Sequence, residues 1–192
     1  MKLNKLTILY GIITVMIIVI IFFFITYSSQ KNNLEKLGRY VNDLMLISGV
    51  GAFQDAHNHA DISIYLNGKK LDLSQEQYQL RARHLHLENS EGEVIHTHAS
   101  GITIGHFLNS LGFRLTNSCL KTNFGIFCDN ENSKLKFYVN GKPNDEFSAY
   151  VIKDLDKILI SYGTENESEL QVQIKSITDF SKKYSNTRMG DS

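Results

Sequence analysis

Seven histidines lie between positions 57 and 106 of this 192-residue chain, and six form His-x-His pairs: His57/His59, His84/His86 and His96/His98. Random placement would give roughly 0.2 such pairs, so three of them need a cause. On a strand, residues i and i+2 share a face, and each pair therefore sets two imidazoles side by side. Residues 84–88 and 94–98 flank the turn tetrapeptide Asn89-Ser90-Glu91-Gly92. A symmetric hairpin there puts His86 opposite His96 and His84 opposite His98, with Cβ atoms about 4.5–5.5 Å apart. A bulge at Gly92 is the alternative register. Neutral imidazole is the commonest protein metal ligand and suits Zn, Cu, Ni and Fe. No Cys or Met joins the group, which argues against Cu(I) and leaves Cu(II) or Zn(II). Asp61 shares the strand face of His57 and His59, as a carboxylate ligand or an outer partner of one. The expected metal set is thus His84, His86, His96 and His98, with His57, His59 and Asp61 nearby. The bland reading is a solvated polar face, a stacked ladder or a pH-sensing contact. For one pair it would prevail; for three, with two facing, metal is preferred. His106 stands alone near a helix start, where a packed or solvated role is the expectation.

The elements that must position these residues are legible as patterns. Ile62, Ile64 and Leu66 alternate with polar residues into Asn67-Gly68, and Leu135, Phe137 and Val139 into Asn140-Gly141. Alternation into Asn-Gly is the strongest short hairpin signal, because a type I′ turn needs positive φ at both central residues. Thr103 caps a short helix carrying Ile104, Phe107, Leu108 and Leu111, which Gly112 ends. Residues 116–128 make a loop or hairpin around Cys119 and Cys128, and Ile158–Tyr162 is a last strand. A C-terminal helix is expected over 166–183, opened by the capping pattern Asn166-x-x-Glu169, and residues 185–192 form a disordered tail. Strands around one central helix, with little room for a parallel sheet, give an α+β domain over residues 56–163.

Ahead of it, residues 7–27 carry no charge and are rich in Ile and Phe, long enough as a helix to span about 30 Å of hydrocarbon. The stretch exceeds a signal-peptide core and lacks a small-x-small cleavage site, so an uncleaved anchor is expected. Residues 31–47 follow as a juxtamembrane helix with Leu34, Leu37, Val41 and Leu44 at three-four spacing, packing on the domain, on a second copy or on a membrane-protein partner. Ser48 to Asp55, with Gly49 and Gly51, reads as a hinge. Lys2 and Lys5 on one side nearly balance Lys31, Lys36 and Arg39 on the other. The short flank of residues 1–6 is expected to stay in the cytoplasm, with the body outside the cell membrane. Cys119 and Cys128 suit an oxidising compartment. With 20 basic and 20 acidic residues and no long run of either sign, there is no case for nucleic-acid binding.

Two resemblances arise from these motifs. The run Phe137-Tyr-Val-Asn-Gly-Lys-Pro through Val151–Tyr162 resembles the end of a β-grasp domain of the transcobalamin C-terminal-like kind, over residues 102–162, with Leu155 where that family has a turn glycine. It implies a β-grasp-like fold and no chemistry. The order His-x-His-Ala-Asp, Ile-Tyr-Leu-Asn-Gly-Lys, the His-x-His hairpin and His98-Ala-Ser-Gly-Ile-Thr-Ile-Gly-His106 resembles a family of small membrane-anchored, histidine-rich proteins of archaea and uncultured bacteria. Members often carry the label protein-disulfide isomerase, which implies thiol–disulfide chemistry. A thioredoxin-type site, however, is Cys-x-x-Cys at a helix N-terminus. Cys119 and Cys128 are nine apart in a loop, and a structural disulfide is the reading the residues favour.

Four functions remain in play: a metal-binding module, a metal-dependent enzyme, a redox protein, and a module for a non-metal ligand or partner. A cupin-type metal pattern is half met, since His84, His86 and Glu91 fit while His98 stands where a glycine belongs. No Ser/His/Asp or Cys/His constellation can be assigned, and a domain this small leaves little room for a substrate cleft. The binding module is preferred.

Overall fold

The computed structural model describes residues 4–185 and falls into two units, Met1–Ser48 and Gly49–Ser192. The first is one helix, α1 (Lys5–Ser48), about 66 Å long at 1.5 Å per residue. It is long and apolar enough to cross a membrane, and the side chains of its apolar window are unburied. No break separates residues 7–27 from 31–47. Residues 28–33 contain neither Gly nor Pro, so nothing stops the helix from propagating. Of the expected flank, residues 1–3 lie outside the described residues, while Lys5 and Leu6 are already helical.

The second unit runs β1 (Asn58–Leu66), β2 (Lys69–Lys70), β3 (Leu85–His86), β4 (Val94–Thr97), α2 (Ile104–Ser110), β5 (Arg114–Leu115), β6 (Cys119–Thr122), β7 (Gly125–Cys128), β8 (Lys134–Val139), β9 (Lys142–Pro143), β10 (Lys157–Gly163), α3 (Glu167–Lys175) and α4 (Ser181–Ser185). It is an α+β domain with a seven-stranded sheet, ordered β3-β4-β1-β10-β8-β9, in which β2 pairs with β1. A second sheet holds β5, β6 and β7.

Both Asn-Gly hairpins form. Leu66 faces Lys69 with φ of 51° and 76° at Asn67 and Gly68, and Val139 faces Lys142 with 52° and 77° at Asn140 and Gly141. The central pair departs from a hairpin-only expectation, because β1 and β10 are parallel, Asp61 to Leu66 against Lys157 to Tyr162. Local turn chemistry cannot signal a pairing between residues 96 apart. Nor is β1 half-exposed as its alternation suggests; it and β10 are buried along nearly their whole length. On one face Ile62, Ile64, Ile158, Ile160 and Phe137 pack with Phe107 and Leu108 of α2 in the main core. Thr103 caps α2 as expected. The opposite face meets the C-terminal segment, with α3 packing on β10 and α4 on β1, and Leu159, Leu170 and Ile177 buried.

That segment differs from the single helix expected over 166–183. The Asn166/Glu169 capping box opens α3, but the helix stops at Lys175 and restarts at Ser181. The interruption coincides with Asp61, whose Oδ1 accepts from Thr178 Oγ1 (2.6 Å) and Phe180 N (2.9 Å). Its carboxylate also accepts from the backbone N–H and hydroxyl of Ser181. A buried carboxylate needs such donors, and it takes them from the backbone that would otherwise continue the helix. Of the expected tail, only Ser185 lies within the described residues, and it ends α4.

Candidate functional site

The histidine pairs meet because three short strands lie side by side. In the β3–β4 hairpin Leu85 faces Thr97 and His86 faces His96, while the His98 N–H donates to the His84 carbonyl (2.7 Å). This is the symmetric register; Asn89 and Ser90 turn the chain with φ of 56° and 57°. Gly92 makes no bulge in it, and serves instead a close backbone approach, since a Cβ there would fall 2.4 Å from Ser74 N. On the other side β1 pairs with β4, His59 against His96 and Asn58 against Thr97. Strand alternation places His59, His96 and His86 on one sheet face, and His57, His98 and His84, one residue past a strand end each, extend it into a second row of three. The inner row is His59, His96, His86, and the outer row His57, His98, His84. Ring centroids lie 4.7 Å apart for His59–His96, 5.7 Å for His86–His96, 4.7 Å for His57–His98, 4.6 Å for His57–His59 and 5.1 Å for His86–His98. His84 packs against Phe53 instead (5.3 Å), and Phe53 carries the Arg83 guanidinium over its ring. The expected hinge supplies that phenylalanine and is itself tied down. The Gly51 N–H donates to the Ser100 carbonyl, Gln54 N–H to the His98 carbonyl, and Ser100 N–H to Asp55 Oδ1.

The two rows differ in environment. His59 and His96 are 3% and 2% exposed, whereas His57, His84 and His98 are half-buried. Burial, then the His57 imidazole, pushes His59 down to about 4. Burial, then His59 and His86, pushes His96 down to about 3. Burial, then His86 and His57, brings His98 to about 4. These three imidazoles are therefore neutral at pH 7, the state in which a ring nitrogen can bind a cation.

Around the rings stand residues that the sequence did not single out. Glu88 reaches two of them, its Oε2 3.5 Å from His86 Nε2 and its Oε1 3.6 Å from His96 Nδ1. A signal for it existed: His84, His86 and Glu88 are an i, i+2, i+4 series, which alternation sets on one face. Tyr184 of α4 packs on His96 (4.7 Å) and His59 (5.4 Å). Ser185 Oγ lies 3.3 Å from His59 Nδ1 and donates to Asp154 Oδ1 (2.8 Å), which also accepts from the His59 N–H (2.9 Å). Nothing local to the histidines points to α4, whose approach is decided by the Asp61 clasp. Asp61, expected beside the metal, spends its oxygens on residues 178–181 and has a structural occupation instead. His106 is the reciprocal partner in the α2 capping box, its Nδ1 accepting from the Thr103 N–H (3.2 Å).

Among the described residues, no three His, Cys, Asp or Glu side chains are already gathered as a metal-holding group. The imidazoles are packed ring against ring, and drawing their nitrogens together takes rotation about χ2, a soft and broad torsion. Cys119 and Cys128 lie elsewhere, directly opposite each other across β6 and β7 with Cα atoms 4.0 Å apart, joined as a disulfide. The pair sits at the end of the β6–β7 hairpin and belongs to no helix. Compared with known proteins, the chain matches no family model, no curated protein and no solved structure.

Proposed function

We propose that this chain is a single-pass membrane-anchored module that binds a divalent transition metal, Cu(II) or Zn(II), on its histidine face. One observation carries the reading: six imidazoles, on three adjacent strands or one residue past their ends, stand within 4.6–5.7 Å of a neighbouring ring or of Phe53, and the buried ones are neutral at pH 7. A solvated polar face gives no reason to bury His59 and His96 against each other, since burying a polar ring without a partner costs free energy. Imidazoles and a carboxylate with no thiolate suit Zn(II) and Cu(II). The strand faces offer ligands without a deep cleft, which favours binding over catalysis.

In this reading α1 crosses the cell membrane with its N-terminus inside and the domain outside, where the Cys119–Cys128 disulfide persists. The β-grasp-like description rests on the two Asn-Gly hairpins on either side of α2 in sequence, and on the turn at Leu155, whose φ of 64° suits the glycine of the similar family. Leu34, Leu37, Val41 and Leu44 stay exposed on α1, a face for a second copy or a membrane-protein partner.

Two experiments test the proposal. Metal analysis of the full chain in detergent, purified without a histidine tag, should find about one equivalent of zinc or copper; a metal-free protein that takes up neither ion at micromolar concentration sinks the reading. Protease added to spheroplasts should cut the domain while a cytoplasmic marker survives, and equal protection of both would reverse the topology.

A further inference from the structure

The hairpin holds an electrostatic mismatch that identifies its ligand set. His86 Nδ1 lies 3.0 Å from the Ala82 carbonyl oxygen, which can only accept, so Nδ1 carries the proton. In a neutral ring Nε2 is then a bare lone pair, and it faces another acceptor, Glu88 Oε2, at 3.5 Å. The second Glu88 oxygen faces His96 Nδ1 at 3.6 Å. On the far side of that ring His96 Nε2 is buried and has no hydrogen-bond partner, in a side chain 2% exposed. Whichever nitrogen of His96 holds its proton, the ring is left unsatisfied. If Nδ1 does, Nε2 is a buried lone pair; if Nε2 does, Nδ1 presents its lone pair to the carboxylate.

Both separations exceed the about 2.7–2.9 Å of a charge-assisted hydrogen bond. They approach the spacing of two ligands on one tetrahedral ion, roughly 3.3 Å for metal–nitrogen bonds of about 2.0–2.1 Å and metal–oxygen bonds of about 2.0–2.2 Å. Glu88 is 32% exposed and reaches from solvent to two sheltered imidazoles, so an ion arriving from solution meets the carboxylate first. We propose that Glu88, His86 and His96 are the primary ligands of the metal, the carboxylate drawing a divalent ion onto the hairpin at the ring edges where His86 Nε2 and His96 Nδ1 face it. The inference rests on the metal-binding reading and narrows it. The outer row and His59 then lie beside the ion without being required for it. A carboxylate in the set also sharpens the choice of cargo toward Zn(II) or Cu(II) and away from Cu(I).

The test is calorimetric titration of the full chain in detergent micelles with zinc chloride, and separately with Cu(II) chloride. Unaltered protein should bind one equivalent. Glu88→Gln should weaken binding at least tenfold, His86→Ala and His96→Ala should weaken it as much or more, and His57→Ala should leave it within twofold. Glu88→Gln is close to isosteric, and a metal-free melting temperature within a few degrees of the parent certifies its fold. Should it fail that check, Glu88→Asp, shorter by one methylene, takes its place with the same expected weakening. Unchanged affinity in a folded Glu88 variant, with loss in His86→Ala, overturns the role of Glu88 and leaves the metal reading standing. Loss in His57→Ala with Glu88→Gln unaffected moves the site to the outer row and overturns the proposal. No binding by the unaltered protein overturns the metal reading itself.

Discussion

Two antiparallel hairpins of this domain set identical residues directly opposite each other, His86 against His96 and Cys119 against Cys128, and their chemistry ends differently. The cysteines have spent their valence on each other, and neither thiol is left to titrate. The histidines are flanked by β1, which brings His59 alongside, and His96 Nε2 is left buried without a hydrogen-bond partner. Opposition across strands is thus only an offer of proximity. A cysteine pair satisfies itself, whereas an imidazole pair needs a proton donor or a cation from elsewhere. The cysteine hairpin is closed, and the histidine hairpin is where a ligand has something to gain.

The contrast breaks first, and most visibly, under metal. At a free ion concentration a hundred times Kd, the bound metal should stabilise the domain by about 2.7 kcal/mol, seen as a raised melting temperature. Replacing His86 and His96 together should abolish that rise, and replacing Cys119 and Cys128 with Ser should not. A rise that survives the His86/His96 variant would show that the hairpin is not the site.

Next in size is the disulfide itself. Cys119→Ser with Cys128→Ser should cost roughly 2–3 kcal/mol in denaturant unfolding, for so short a loop. Neither thiol should react with an alkylating reagent in the native, non-reduced protein. Rapid labelling would turn the closed hairpin into a reactive one and revive the thiol–disulfide alternative.

Acid separates the hairpins more gently. His59 and His98 hold folded values of about 4 and His96 about 3, against about 6.5 when unfolded. Over that interval the unfolded chain binds more protons, so stability rises with pH. The contribution is full above about pH 6.5 and is lost as pH falls toward 4, and for His96 toward 3, by about 1.4 kcal/mol per pH unit for each proton taken up on unfolding. Urea midpoints measured across that window should decline in the parent and be flatter in His59→Gln/His96→Gln. A flat profile in the parent would mean that the imidazoles are not buried neutral.

The smallest effects concern what covers and flanks the histidine face. Tyr184→Ala removes an aromatic contact with His96 and His59 and should cost about 1 kcal/mol while speeding metal uptake. His106→Ala removes one half of the α2 capping box, at about 0.5–1 kcal/mol, and should leave the metal-induced rise intact. A large loss of metal binding in His106→Ala would extend the site beyond the three strands.

What the sequence determined by itself is what short-range physics controls. Asn67-Gly68 and Asn140-Gly141 dictate their hairpins because few other residues tolerate positive φ twice in succession. Thr103 and Asn166 announce helix starts, and residues 7–27 announce by length and lack of charge a helix able to cross a membrane. The pairing of His86 with His96 was equally legible, because one turn sets that register. Glu88 carried a signal that went unread, its alternation from His86. Only tertiary structure could decide the rest. That β1 lies against β4, bringing His59 to His96, and parallel to β10 is a choice among non-local pairings, settled by burying Ile62, Ile64, Ile158 and Ile160 together. The fate of Asp61 was decided in the same way. Its position suggested a ligand, but a carboxylate sealed inside a protein takes whatever donors the packing delivers. Here residues 178–181 supplied them, from more than a hundred positions along the chain.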